Sequence, residues 1–216
     1  PDAFHLCGLP AGLVLTSQDT VLPSLIHVVR FRGEGMVHMR VPETVTALYA
    51  DGKAVPVDRD VGVAAFEAAD PLREHSLVAL GALPQLSQGR LVDMPWAVPG
   101  LGLREPSPYI VPNQAEGWMV HNGGRLWLAG RLPAGRGLAL VGEFSQRAVS
   151  GSPGQGTVRV NGAVAWQSPL TKQESPRFAF NVSLEPWSGQ PVLIELAVEG
   201  EAASFSAGDF HGPRLR

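Results

Sequence analysis

Thr157-Val158-Arg159-Val160-Asn161-Gly162-Ala163-Val164-Ala165-Trp166 reads as two strands and the turn that joins them. Apolar and β-branched residues flank an Asn-Gly pair, and both central residues of a type I′ turn need positive φ, which Asn and Gly tolerate best. Downstream come Phe178 to Leu184, Pro186, Val192 to Val198 and Gly200. The first half of the chain repeats this grammar. Val45 to Tyr49 lead into Asp51-Gly52, then Val55 and Val57, an apolar segment around Phe66, Pro71, the strand-like His75 to Leu80, and Gly81. Two such stretches imply two β-modules built on one plan.

Working outward, the composition agrees with short strands and many turns. The 25 Gly and 19 Pro among 216 residues leave few windows for a helix of ordinary length, while 44% hydrophobic content suffices for a core. The expected fold class is all-β, an antiparallel β-sandwich of jelly-roll or Ig-like type in two packed β-modules. A net charge of −3 with both signs interspersed supplies no basic field for nucleic acid. Basic residues are nearly all Arg, with Lys only at Lys53 and Lys172, a usage that points to a GC-rich bacterial genome. The single Cys7 excludes an intrachain disulfide and a multi-cysteine zinc site. No apolar run is long enough to cross a bilayer, and the chain opens at Pro1 as a trimmed or mature chain would. An extracytoplasmic or cell-surface setting is expected with the binding role reached below.

The modules are expected at 1–82 and 117–216, joined by a proline-rich connector over 83–116. Pro84, Pro95, Pro99, Pro106, Pro108 and Pro112 break its periodicity, yet Met94, Trp96, Val98, Leu101 and Leu103 make it too apolar for a solvated tether. In the first module Leu25 to Arg32 and Met36 to Val41 flank Gly33-Glu34-Gly35, the pattern of a hairpin with a three-residue loop. Pairing Arg32 with Met36 puts Leu25, His27, Val29, Phe31, Val37, Met39 and Val41 on one apolar face. Arg30, Arg32, His38 and Arg40 then line the other as an anion-binding strip, with an ordinary solvated sheet face as the alternative. In the second module Phe178, Phe180, Val182 and Leu184 alternate with Ala179, Asn181 and Ser183, and Val192 to Glu199 alternate likewise.

The second half resembles the galactose-binding-like jelly-roll superfamily, which includes many carbohydrate-binding domains. The residues that carry the resemblance are Gly156 to Gly162, the Phe178 to Leu184 and Val192 to Glu199 strands, and the closing Gly208-Asp209-Phe210-His211-Gly212-Pro213 with Arg214-Leu215. It covers about the last hundred residues. It implies a sugar-binding sandwich, and members often hold a structural Ca²⁺ through loop carboxylates and carbonyls. No ligand set for such an ion can be placed on this sequence, and no metal or cofactor is assigned.

Signatures of common enzyme classes are missing: no G-x-S-x-G elbow, no H-E-x-x-H, no phosphate-cradling Gly-Lys loop. Asp58-Arg59-Asp60 has the spacing of a cation-holding carboxylate pair, but also that of a charged loop. His5 and Cys7 would share a strand face, where a thiolate beside imidazole could react, although a lone Cys is commonly a small hydrophobe. Asn181-Val182-Ser183 fits a glycosylation acceptor. The candidate ligand site is aromatic. In the Asn161-Gly162 hairpin Val158, Val160, Ala163 and Ala165 form one face, and Thr157, Arg159, Val164 and Trp166 the other. There an outward Trp166 beside Arg159 would offer a stacking platform to a sugar ring. Trp118, Trp127 and Trp187 are alternative anchors, and core packing is the competing role of every one of these rings.

The expected function is therefore non-catalytic recognition of carbohydrate by a β-sandwich module. A structural subunit of a surface, envelope or virion-like assembly, with another protein chain as partner, is the alternative, and an enzyme the third.

Overall fold

The computed structural model describes residues 5–7, 10–21, 26–91, 97–101, 110–113, 117–135, 137–150, 153–171, 176–200 and 205–216. Of the residues singled out above, Pro1, Leu25, Met94, Pro95, Trp96, Leu103, Pro106, Pro108 and Lys172 lie outside this set. Strands make up almost all of the regular structure, and every named pairing is antiparallel. The chain divides into two units: residues 1–83 with the 161–163 turn, and residues 84–160 with 164–216. No helix among the described residues is long and apolar enough to cross a membrane.

The first unit contains β1 (His5–Leu6), β2 (Val14–Val21), β3 (Ile26–Arg32), β4 (Gly35–Arg40), β5 (Ala47–Ala50), β6 (Lys53–Ala54), β7 (Val63–Ala68) and β8 (Glu74–Leu80). They form a three-stranded sheet, β1-β4-β7, and a five-stranded sheet, β2-β3-β8-β5-β6. Val29, Phe31, Leu48, Leu77 and Ala79 of the larger sheet pack against Val37, Met39, Ala64 and Ala68 of the smaller. Asp51 and Gly52 take φ of 48° and 80°, the type I′ geometry expected of their hairpin. The Asp51 carboxylate also meets His75 Nδ1 at 2.7 Å and accepts the Ser76 N–H at 2.9 Å, which fastens the turn to β8.

The hairpin expected around Gly33-Glu34-Gly35 is not formed. β3 pairs with β2 and β8, and β4 with β1 and β7, so the link crosses from one sheet to the other. Gly33 and Gly35 take φ of 129° and 125°, a region that lets the chain leave one sheet for the other. The apolar residues of the two strands do meet, but across the sandwich rather than side by side. Alternation specifies which face is buried and leaves the neighbouring strand open. Pro56, beyond β6, follows the edge strand, where its missing N–H costs no ladder bond.

The second unit contains β9 (Gly89–Arg90), β10 (Ala97–Leu101), β11 (Ile110–Asn113), β12 (Gly117–His121), β13 (Gly124–Arg131), β14 (Ala139–Ser150), β15 (Gln155–Val160), β16 (Ala163–Gln167), β17 (Arg177–Ser183), β18 (Pro191–Glu199) and β19 (Phe205–Leu215). One sheet runs β10-β13-β18-β15-β16 and the other β11-β12-β19-β14-β17, with β9 on β19. Eight of these strands interleave as β13-β18-β15-β16 facing β12-β19-β14-β17, the two-sheet jelly-roll order. The stretch set off as a connector supplies β9, β10 and β11 to these sheets, and its Leu86 and Leu91 are buried in the same core.

The repeated grammar is a repeated topology. The first unit's order β3-β8-β5-β6 and its β4-β7 pair return in the second as β13-β18-β15-β16 and β14-β17. The difference lies on the other side of the β4 equivalent: β14 is flanked by the long β19, β4 by the two-residue β1. At the centre of the second core Phe144, fully buried, lies between Gly156 of one sheet and Gly208 of the other. A Cβ at either glycine would fall within 2.6 Å of its ring. Phe210 packs on it with ring centroids 5.0 Å apart.

Candidate functional site

Of the candidate aromatic anchors, Trp118 and Trp127 are buried and Trp166 and Trp187 half-buried. Trp127 is 1% exposed and its Nε1–H donates to Glu195 Oε2 at 2.7 Å. Glu195 lies between Trp127 and Arg159 in the sheet register, and Arg159 Nη1 meets Glu195 Oε1 at 3.3 Å and Glu199 Oε1 at 2.5 Å. Thr157, on the same face, is fully buried. These residues form a cross-strand row of tryptophan, carboxylate and guanidinium in which Trp127, Thr157 and Glu195 are buried.

Trp166 faces the opposite way from the expectation. A two-residue turn in unbroken register sets Gly156 opposite Gln167. Instead the Ser168 N–H donates to the Gly156 carbonyl at 2.8 Å, and the Gly156 N–H to Ser168 Oγ at 3.0 Å. β16 thus carries one extra residue, and the slip turns Trp166 to the side of Val158 and Val160. Its ring sits half-buried against the core, 5.3 Å from Phe180 and 6.4 Å from Phe144 by centroid. Trp187, in the 3-10 turn Glu185–Trp187, also packs on that core, and Trp118 is buried in it.

The strip expected in the first unit is divided. Arg30 and Arg32 project from the outer face of the five-stranded sheet, His38 and Arg40 from that of the three-stranded sheet, with the core between them. Arg30 is itself buried, 3.6 Å from Asp19. The cause is the sheet crossing at Gly33 to Gly35. Asp58 Oδ1 accepts the Asp60 N–H at 3.0 Å, an ordinary turn in an exposed loop. Cys7 is exposed.

A polar surface does exist, on the outer face of β19, β14 and β17. The inward alternation of Phe178, Phe180 and Val182 leaves Arg177, Ala179, Asn181 and Ser183 outside, as their exposure confirms. In register, Ser145 stands between Asp209 and Arg177, Glu143 between His211 and Ala179, and Val141 between Arg214 and Asn181. The register slips between Val141 and Glu143, opposite Gly212, whose φ is 51°. Such a bulge re-aims side chains. Here it opens a groove of about 640 Å³ lined by Glu143, Arg177, Asn181, His211, Arg214 and Arg216 over a floor of Val141, Gly142, Ala179 and Phe180.

The polar groups are organised. Ser145 Oγ and His211 Nε2 are 2.8 Å apart. Beneath them Asp209, 1% exposed, receives the Arg147 guanidinium. Arg177 Nη1 lies 3.7 Å from Glu143 Oε2, both well exposed, a contact that holds neither side chain firmly. The arrangement offers planar donors and a carboxylate around a small apolar floor, open along its length. Sequence reasoning missed it because Glu143, Arg177 and His211 are far apart in the chain. The available signal was the outward half of β17 and the Asp209-Phe210-His211 alternation.

No protein-family model matches the chain, and no curated protein matches it. Among solved structures it is similar to the CBM51-2 and INT domains of ZmpB from Clostridium perfringens, solved in complex with GlcNAc. That likeness has 12% identity and a TM-score of 0.41 over 96% of this chain and 41% of that one. It is also similar to the secreted serine protease VesC from Vibrio cholerae, at 12% identity and a TM-score of 0.40 over 94% and 51%. A third is the cycloalternan-forming enzyme from Listeria monocytogenes, at 11% and 0.33 over 88% and 20%. The chain spans about two fifths of the ZmpB structure.

Proposed function

We propose that this chain is a non-catalytic carbohydrate-binding β-sandwich that works outside the cytoplasm and holds its sugar on the outer face of β14, β17 and β19. The observation that carries the reading is the composition of that groove. A sugar ring presents a C–H face and pairs of adjacent hydroxyls. The Val141, Gly142 and Ala179 floor can take the first. The guanidinium, amide and carboxylate groups of Arg177, Arg214, Asn181 and Glu143 can each exchange two hydrogen bonds with the second. Same-face side chains along a strand repeat at about 6.7 Å and neighbouring strands at about 4.8 Å, so a chain of sugars crossing the strands meets polar groups at each step. An open groove suits a polymer, where a small apolar ligand needs enclosure.

The test is calorimetric titration of the chain with a panel of defined oligosaccharides, repeated on Asn181→Ala, with circular dichroism as the folding control. Saturable binding that weakens in the folded variant is expected, with no new reducing ends released on prolonged incubation. Absence of binding across the panel, or binding indifferent to the groove, would refute the proposal.

A further inference from the structure

We infer that the carbohydrate taken by this groove is anionic, carrying carboxylate or sulfate groups. This rests on the carbohydrate reading above and deepens it. Among the described residues, three guanidinium groups, Arg177, Arg214 and Arg216, line the groove against a single side-chain carboxylate, Glu143. Neither Arg214 nor Arg216 has a carboxylate partner among the described residues, and Glu143 touches Arg177 only at 3.7 Å between two exposed side chains. The other carboxylate of this face among the described residues, Asp209, is buried and engaged by Arg147. The groove therefore carries excess positive charge on a chain whose net charge is −3. Bulk composition does not account for that.

Neutral sugars need hydroxyl-matched donors and acceptors in balance. A surplus of guanidinium forks matches carboxylate or sulfate oxygens, which accept two parallel N–H bonds. The placement adds a length requirement. Arg177 lies level with Ser145 and Arg214 level with Val141, on opposite sides of β14. Four residues of strand separate these levels by about 13 Å, so the two cations address charges on different sugar units.

The experiment uses the intact chain and matched probes: oligogalacturonate and its carboxyl-reduced counterpart of equal length, and sulfated and unsulfated dextran oligomers. An acidic member should bind at least about tenfold more tightly than its neutral match, the ratio expected of one charge-assisted hydrogen bond. That preference should shrink as salt rises to roughly 0.5 M, where the screening length falls well below its low-salt value. Arg214→Gln should remove most of the preference, weakening the acidic probe several-fold more than its neutral match. Monomeric galacturonate should bind more weakly than the oligomer. A carboxylate-only or sulfate-only preference supports the inference and identifies the source of the charge. Equal binding of acidic and neutral probes, lost in Asn181→Ala, overturns the anionic assignment and leaves the carbohydrate reading standing. Failure of every saccharide overturns both, and an oligonucleotide that binds as tightly as the best saccharide overturns the assignment to sugar.

Discussion

Replacing Gly208 by Ala tests how the second core fixes the strands that carry the groove. The added methyl would stand 2.1 Å from Cε2 and 2.3 Å from Cζ of Phe144, and 3.1 Å from the Ser145 carbonyl oxygen. Ordinary carbon contacts lie at about 3.5–4.0 Å, so the ring would have to withdraw by more than about 1 Å. It has nowhere to go. On its other side the β15 backbone is so close that a Cβ at Gly156 would be 2.6 Å from the same ring, and Phe210 closes the flank. Overpacking typically costs 1–3 kcal/mol, and a ring held on both faces belongs at the upper end, about 3 kcal/mol. The described tryptophans, Trp118, Trp127, Trp166 and Trp187, all fall in the second unit, so their fluorescence reports its unfolding. With a urea slope of about 1–3 kcal/mol per molar, the midpoint should fall by roughly 1–3 M. Phe144→Leu is destabilising alone but removes the clash, so the double variant should be more stable than the two single effects predict by about 1 kcal/mol or more. A Gly208→Ala protein within about 0.5 kcal/mol of the parent, or strictly additive effects, would refute the clamp.

Two further outcomes follow from groups inside the fold. Glu195→Leu takes the acceptor from Trp127 Nε1 and one carboxylate from Arg159, and breaking a buried pair in this way costs about 3–5 kcal/mol. Glu195→Gln, which keeps an acceptor for the indole, should cost less in the same urea assay, and a Leu variant as stable as the parent would show the row to be inert. Burial holds the His27 imidazole below its ordinary value of 6.5. The unfolded chain therefore takes up this proton first, and stability is lost as pH falls from about 6.5 through the lower folded value. The difference in stability between the parent and His27→Gln should shift against the parent across that window, whereas a difference independent of pH would dismiss the effect.

Much of the architecture was legible in local chemistry. Asp51-Gly52 and Asn161-Gly162 adopt the turn their side chains favour, because positive φ is a requirement met within two residues. The alternation in β17 told its inner face from its outer because one side is buried. What could not be read was how strands are partnered. β3 and β4 are adjacent in sequence with matching apolar faces, yet period-two alternation is the same for a sheet neighbour and for a strand across the core. One extra residue in β16, settled by the Ser168 and Gly156 contacts, decided whether Trp166 served the surface or the interior. The groove was hidden for a related reason: it draws on β14, β17 and β19, whose residues pair only once the jelly-roll order is known.

The place of β19 sets a limit on valence. In the second unit it flanks β14 along most of its length and supplies Asp209, His211 and Arg214, whereas in the first the strand beside β4 is the two-residue β1. Among the described residues, repetition of the topology thus does not duplicate the polar surface. On the proposed carbohydrate reading, a grip on a long polymer stronger than this groove supplies would come from tethering several copies, where linked attachment multiplies weak contacts through effective concentration.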